Sequence, residues 1–277
     1  MSEDAPETQH APEHAIDRAY ENSAYIPGAA AFTRHWAETA ARFREAHHGR
    51  IDVAYGPDPR ERYDLFLPAG EPHGLAVFIH GGYWMAFDKS DWSHLAQGAL
   101  ENRWAVMLPS YPLCPQVRIG GIVASVGAAI AHAADTVAGP IVIAGHSAGG
   151  HLAARMACRD APLPAEIAAR IARVVSISGL HDLRPLLATR MNETLHLDLA
   201  EARRESPALL DPADIDIVAW VGDGERPQLR RQTRLLALIW EGLARSVRHV
   251  EAPDRHHFDV IEDLRDPRSA LTAALLG

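Results

Sequence analysis

Residues Gly145-His146-Ser147-Ala148-Gly149 set a serine between two glycines at a spacing suited to nucleophilic acyl chemistry. A short apolar run, 140–144, leads in, and an Ala-rich stretch of helical pattern, 148–158, leads out. Strand, sharp turn and helix is the order in which Gly-x-Ser-x-Gly exposes its hydroxyl as a nucleophile elbow. Side chains two residues either side of the serine must nearly vanish for that turn to close. Gly145 and Gly149 meet the demand, and Gly150 extends it. The following helix aims its free N–H groups and positive dipole end at the place where an oxyanion would form.

A serine hydroxyl is a weak nucleophile at neutral pH, so it needs a base, an acid to orient that base, and oxyanion donors. In an alternating strand–helix chain the expected order is serine, acid, histidine, each on a loop after a strand. The last predicted strand, 246–252, leads into Asp254-Arg255-His256-His257-Phe258-Asp259. His257 is the better placed base than His256, because it abuts the expected closing helix with Phe258 anchoring the turn. The strand before it, 217–221, runs into Gly222-Asp223-Gly224-Glu225-Arg226-Pro227. Asp223 and Glu225 are both candidate acids there, and spacing does not separate them; either also suits a plain helix N-terminus. The oxyanion donors are expected from the N–H of Ala148 and from the loop His80-Gly81-Gly82-Tyr83-Trp84. Gly81 and Gly82 let backbone approach a substrate oxygen with no Cβ in the way. His80 reads as an anchor for this loop rather than a second base. Tyr83 and Trp84 are candidates to touch an aromatic substrate, with core packing as their competing role.

These groups need a scaffold, and the apolar pattern supplies one. A helix is predicted over 30–46, where Phe32, Trp36, Ala40 and Phe43 recur at helical spacing, then two alternating strands at 51–55 and 63–67. Beyond a turn-rich break at 68–74, apolar strands at 75–79, 104–109, 140–144, 174–178, 217–221 and 246–252 alternate with helices. The helices are expected at 91–102, 117–137, 148–158, 228–245 and 260–276. This order implies an α/β class fold: a mostly parallel, doubly wound sheet with an antiparallel start. Residues 16–277 read as a single domain, with about 180–214 inserted over the C-terminal strand ends where such sheets bind ligands. Residues 1–15 have the composition of a disordered tail.

Composition narrows the function classes. The chain has 277 residues and a net charge of −9 with signs interspersed, which speaks against a nucleic-acid binder. No apolar run is long enough for a membrane span, and the acidic N-terminus lacks a secretory h-region, so a cytoplasmic location is expected. Cys114 and Cys158 are far apart and read as buried thiols. The 16 histidines include the adjacent pairs His47-His48 and His256-His257, whose side chains diverge, and no metal-ligand spacing is present.

Together, His80-Gly81-Gly82-Tyr83-Trp84 and Gly145-His146-Ser147-Ala148-Gly149-Gly150 resemble the α/β-hydrolase superfamily. Within it they are similar to the arylformamidase (kynurenine formamidase) branch rather than the His-Gly-Gly-Gly lipases and esterases. The resemblance extends over most of the chain, through the stretches 63–68 and 178–186, Ser206-Pro207, and 257–264. It implies the α/β-hydrolase fold, with a sheet of about eight strands, helices on both faces and a small cap. The family's catalytic histidine precedes a Phe, which matches His257. Its acid lies two residues before the position of Pro227, which matches Glu225. Animal members carry Asp there, so Glu225 departs in length but not in charge, and Asp223 stands in reserve. The implied reaction is hydrolysis of N-formyl-L-kynurenine to formate and L-kynurenine in tryptophan catabolism. It would run through a Ser-His-Glu triad and an acyl-enzyme, with no metal or organic cofactor. No residue of the sequence stands out as a ligand for an α-amino-acid head group. A general carboxylesterase or amidase acting on small esters or carbamates would share every one of these residues. A non-catalytic binding protein of this fold is the third reading, opposed by the presence of serine, acid and histidine together. The expected partner is a small-molecule substrate, neither nucleic acid nor membrane, and a homodimer is left open.

Overall fold

The computed structural model describes residues 15–277. The expected tail, apart from Ala15, lies outside the described residues. In chain order come α1 (Ala15–Tyr20), α2 (Ala29–Ala46), β1 (Gly49–Ala54), β2 (Arg62–Phe66), β3 (Leu75–Ile79), α3 (Gln97–Glu101) and β4 (Ala105–Pro109). Next are α4 (Ile119–Ala134), β5 (Ile141–His146), α5 (Ala148–Met156), α6 (Ala165–Ala168) and β6 (Ile171–Ile177). The rest comprises α7 (Asn192–Leu195), α8 (Leu199–Arg204), β7 (Asp216–Gly222), α9 (Pro227–Trp240), β8 (Ser246–Ala252) and α10 (Ala270–Leu276).

The eight strands form one sheet in the order β1-β2-β4-β3-β5-β6-β7-β8. β1 and β2 pair antiparallel with their neighbours, and every pairing from β4 to β8 is parallel. Strand side chains alternate between faces, and β3 shows the consequence. Leu75, Val77 and Ile79 enter a core shared with α4, α5 and α9, while Ala76 and Phe78 enter a second core shared with α2, α3 and α10. Burial on both faces explains why these strands read as unbroken apolar runs. Cys114 and Cys158 are buried and free of disulfides, and burial pushes their thiols up, to about 11 and about 12.

Three helices differ from their sequence expectation. The closing helix, expected over 260–276, is broken into a 3-10 turn at Glu262–Arg265 and α10. Pro267 forces the preceding Asp266 to extended backbone (φ −91°, ψ 118°), and Ser269 then caps a new start by accepting the Thr272 N–H at 3.0 Å. The stretch 91–102 holds 3-10 segments and only the short α3. α9 stops at Trp240, ahead of Gly242 at φ 78°.

Segment 180–214 lies against the α4–α5 side of the sheet, where Leu180, Leu183, Leu186, Leu195 and Leu197 join the first core. Ion pairs tie it down, Arg118 to Glu201 and the buried Arg155 to Glu205 at 3.0 Å. No helix of the described residues is long and apolar enough to cross a membrane.

Three fully buried imidazoles give the fold an acid sensitivity. Burial holds His80 at about 4 and His151 and His181 at about 3. The unfolded chain protonates these groups near the ordinary 6.5 while the folded chain does not. Their contribution to stability is therefore complete above pH 6.5 and is lost as pH falls from there toward 4. Each such histidine removes about 1.4 kcal/mol per pH unit over that window. Thermal melts between pH 7 and 4.5 should show a steadily falling midpoint, and a flat profile would contradict the buried neutral imidazoles.

Candidate active site

The chain turns sharply between β5 and α5, and Ser147 sits at the turn with φ 56° and ψ −118°. A non-glycine residue there carries strain of about 1–3 kcal/mol. Backbone bonds hold it in place: Ser147 N–H donates to Ile177 O at 2.8 Å, and Ser147 O accepts from His151 N–H at 3.1 Å. Gly149 runs so close to the β3 end that a Cβ would overlap the carbonyl oxygens of Ile79 and His80. The small residue demanded by the motif is thus a matter of backbone contact, and no side-chain repacking could relieve it.

The loop after β3 passes directly beside this serine. A Cβ on Gly81 would lie 3.1 Å from the Ser147 Cβ, and Gly82 takes φ 106°. Among the described residues no backbone acceptor answers the N–H of Gly82 or of Ala148. Both therefore suit a substrate oxygen. His80 anchors the loop as expected, with its ring stacked on Tyr111 and its Nδ1 2.7 Å from Gly81 O.

Glu225 and His257 are joined across two loops. Glu225, on the turn between β7 and α9, is only 6% exposed, and its Oε2 lies 2.7 Å from His257 Nδ1. Its Oε1 accepts the Gly222 N–H at 2.9 Å and the Ser178 hydroxyl at 2.5 Å. A buried carboxylate needs its lone pairs answered, and here three donors answer them. Asp223, the reserve acid, does not reach His257: its Oδ1 accepts the Asp254 N–H at 2.9 Å at an exposed turn. His256 is likewise a turn residue, its Nδ1 accepting from the Phe258 N–H at 3.1 Å. Phe258 packs edge-on against Phe32 and Trp36, which holds the His257 loop to α2.

Ser147 and His257 line one cavity of about 850 Å³, a size that suits a small organic ligand. Trp36, Tyr83, Phe87, Trp92 and Phe258 make its wall largely aromatic. Tyr83 lines it as anticipated. Trp84 does not: its indole is fully buried in the core and donates to His151 Nδ1 at 3.3 Å. Successive positive φ angles at Tyr83 (52°) and Trp84 (60°) turn the two side chains to different surroundings. From segment 180–214 only Arg190 and Met191 reach the cavity, and residues 17–36 and the loop 81–87 supply much of the rest of its wall. His146, whose ring lies tilted against that of His257 with centroids 4.6 Å apart, also lines it. Burial first, and the neighbouring imidazole second, hold His146 well below its ordinary value, hence neutral.

Sequence reading missed two contributors. Ser178 sits at the end of β6, and its hydroxyl becomes meaningful only because β6 and β7 are adjacent. The N-terminal wall carried no catalytic pattern at all, only the amphipathic spacing of α2.

Comparison with known proteins shows the family and the fold. Residues 76–257 match the family described as alpha/beta hydrolase fold. A kynurenine formamidase of Danio rerio is 28% identical over 245 residues, covering 85% of this chain and 83% of its own. One of Salmo salar is 29% identical over 252 residues, covering 86% and 85%. A crystal structure of a proposed thioesterase from Silicibacter superposes with TM-score 0.91 at 49% identity, covering 95% of this chain and 99% of its own. The resemblance seen in the sequence is thus met over most of its length. The chain belongs to the alpha/beta hydrolase family and is an enzyme acting on amide or ester bonds.

Proposed function

We propose that this enzyme hydrolyses an aryl formamide, N-formyl-L-kynurenine, to formate and L-kynurenine, with Ser147 as nucleophile, His257 as base and Glu225 as its orienting acid. The observation that carries the reading is the 2.7 Å contact of His257 Nδ1 with a buried carboxylate, beside a strained serine on the same aromatic cavity. With Nδ1–H donated to Glu225, the imidazole presents Nε2 as the basic nitrogen. His257 takes the Ser147 proton as Oγ bonds to the formyl carbon, and the oxyanion is met by N–H groups of Ala148 and the Gly81-Gly82 loop. The C–N bond then breaks as the imidazolium protonates the anilinic nitrogen, leaving formyl on Ser147. Water, deprotonated by His257, attacks that ester, and formate departs as the proton returns to Ser147. The formamide choice draws on the two fish relatives, which carry that activity in their names.

A thioester or ester substrate is the second reading, favoured by the Silicibacter chain described as a proposed thioesterase. Both share the acyl chemistry and differ in the leaving group. The test compares kcat/KM for N-formyl-L-kynurenine, p-nitrophenyl acetate and an acetyl thioester. The formamide should lead by on the order of 100-fold. A lead for either ester class would replace the formamide reading.

A further inference from the structure

We propose that the C-terminal end of α1 forms a subsite for the substrate's α-ammonium group, with Asn22 as its hydrogen-bond acceptor and Glu21 as its charge partner. This rests on the formamidase reading and supplies the head-group recognition that the sequence does not show. Asn22 precedes a 3-10 turn (Ser23–Tyr25) at the position where an asparagine oxygen ordinarily caps the following N–H groups, yet it makes no such cap. Its side chain is 4% exposed, lines the catalytic cavity, and is held by Nδ2, which donates to Tyr83 Oη at 2.8 Å. The amide orientation is fixed by chemistry. Tyr83 has one proton and donates it to Tyr20 O at 2.6 Å, so it can only accept from Asn22. Burial keeps that phenol protonated.

The consequence is a buried Asn22 Oδ1 with no hydrogen-bond partner among the described residues. Leaving such an acceptor unanswered costs about 1–3 kcal/mol, so its natural complement is a donor brought by the ligand. The charge around it selects which donor. Glu21, just past the end of α1, lines the same cavity, and its carboxylate favours a cation. Asp17, on α1, accepts the Arg190 N–H at 2.7 Å, which ties the Arg190 segment to α1 beside the cavity. An unanswered amide oxygen beside a carboxylate matches the ammonium group of an α-amino acid, with the aromatic wall left for the aryl ketone.

The experiment compares N-formyl-L-kynurenine with 2-formamidoacetophenone, which keeps the aryl formamide and lacks the head group. The unaltered enzyme should prefer the first through KM. Asn22→Ala should raise KM for N-formyl-L-kynurenine about tenfold or more with little change in kcat, and raise KM for 2-formamidoacetophenone far less, by the part that Tyr83 loses with its amide donor. Glu21→Gln, at an exposed position that does not burden folding, should raise KM for the zwitterion about threefold, and less at high salt. Equal losses on both substrates would make Asn22 a packing residue or a ligand of the anilide N–H and overturn the proposal. So would an unaltered enzyme that treats the two formamides alike. Cleavage of esters with neither formamide turned over would instead remove the formamidase reading, and this subsite with it.

Discussion

Ser147→Ala should lower kcat by about 10⁴-fold or more while leaving KM and the thermal midpoint unchanged. The fold is expected to survive because the substitution removes one oxygen and keeps the Cβ that already tolerates φ 56°. The two backbone bonds that pin the turn, to Ile177 O and from His151 N–H, do not involve the side chain. The cavity walls and the Ala148 and Gly82 N–H groups also remain, so substrate still binds and a residual rate over water persists. Only the proposed acyl-enzyme route is lost. Formate release gives the rate, and an active-site fluorophosphonate gives the second readout: it should label the unaltered enzyme and not the variant. Near-normal turnover by Ser147→Ala would remove this serine from the mechanism.

How much of this was readable beforehand depended on how local each signal is. The central strands of the parallel sheet are buried on both faces and bounded by turns, so 75–79 could be delimited to the residue. The elbow is a local contact between successive elements, and Gly145 and Gly149 announce it. Glu225 and His257 were legible because parallel connections bring consecutive strand ends to one edge of the sheet, which makes position after a strand informative. Spacing alone left Asp223 level with Glu225. What separates them is which carboxylate turns inward under the His257 loop, a relation across two loops. The cavity wall was illegible for the same reason. Tyr20 and Asn22 meet Tyr83 across some sixty residues, and Trp36 meets Phe258 across more than two hundred. Trp84 failed differently. Adjacency to a glycine loop gives two neighbouring aromatics equal claims, and only the backbone dihedrals decide which one faces the cavity. The closing helix was overextended because helical periodicity outweighed Pro267, whose restriction on Asp266 breaks the run.

Glu225→Gln should cost kcat about 10³- to 10⁴-fold, and Asp223→Asn should cost nothing measurable. The difference follows from the donors around each acid. Glu225 Oε1 is committed to two donors, the Gly222 N–H and the Ser178 hydroxyl. A glutamine side chain keeps its carbonyl oxygen at that position, because turning its NH2 there would set it against the Gly222 N–H, which can only donate. The NH2 then faces His257 Nδ1 at the 2.7 Å position. That nitrogen must become an acceptor, so the imidazole proton moves to Nε2, and the ring can no longer take a proton from Ser147. The variant should fold, bind substrate with unchanged KM, and react sluggishly with a fluorophosphonate, because the nucleophile has lost its base. Ser178→Ala is the control that separates tautomer from position. It frees one acceptor site on Oε1 without reversing the His257 contact, so its loss should be far smaller than that of Glu225→Gln. Asp223→Asn keeps an oxygen for the Asp254 N–H and leaves Ser147, Glu225 and His257 untouched. A crippled Asp223→Asn beside an active Glu225→Gln would exchange the two acids and require the β7–α9 turn to rearrange when substrate binds.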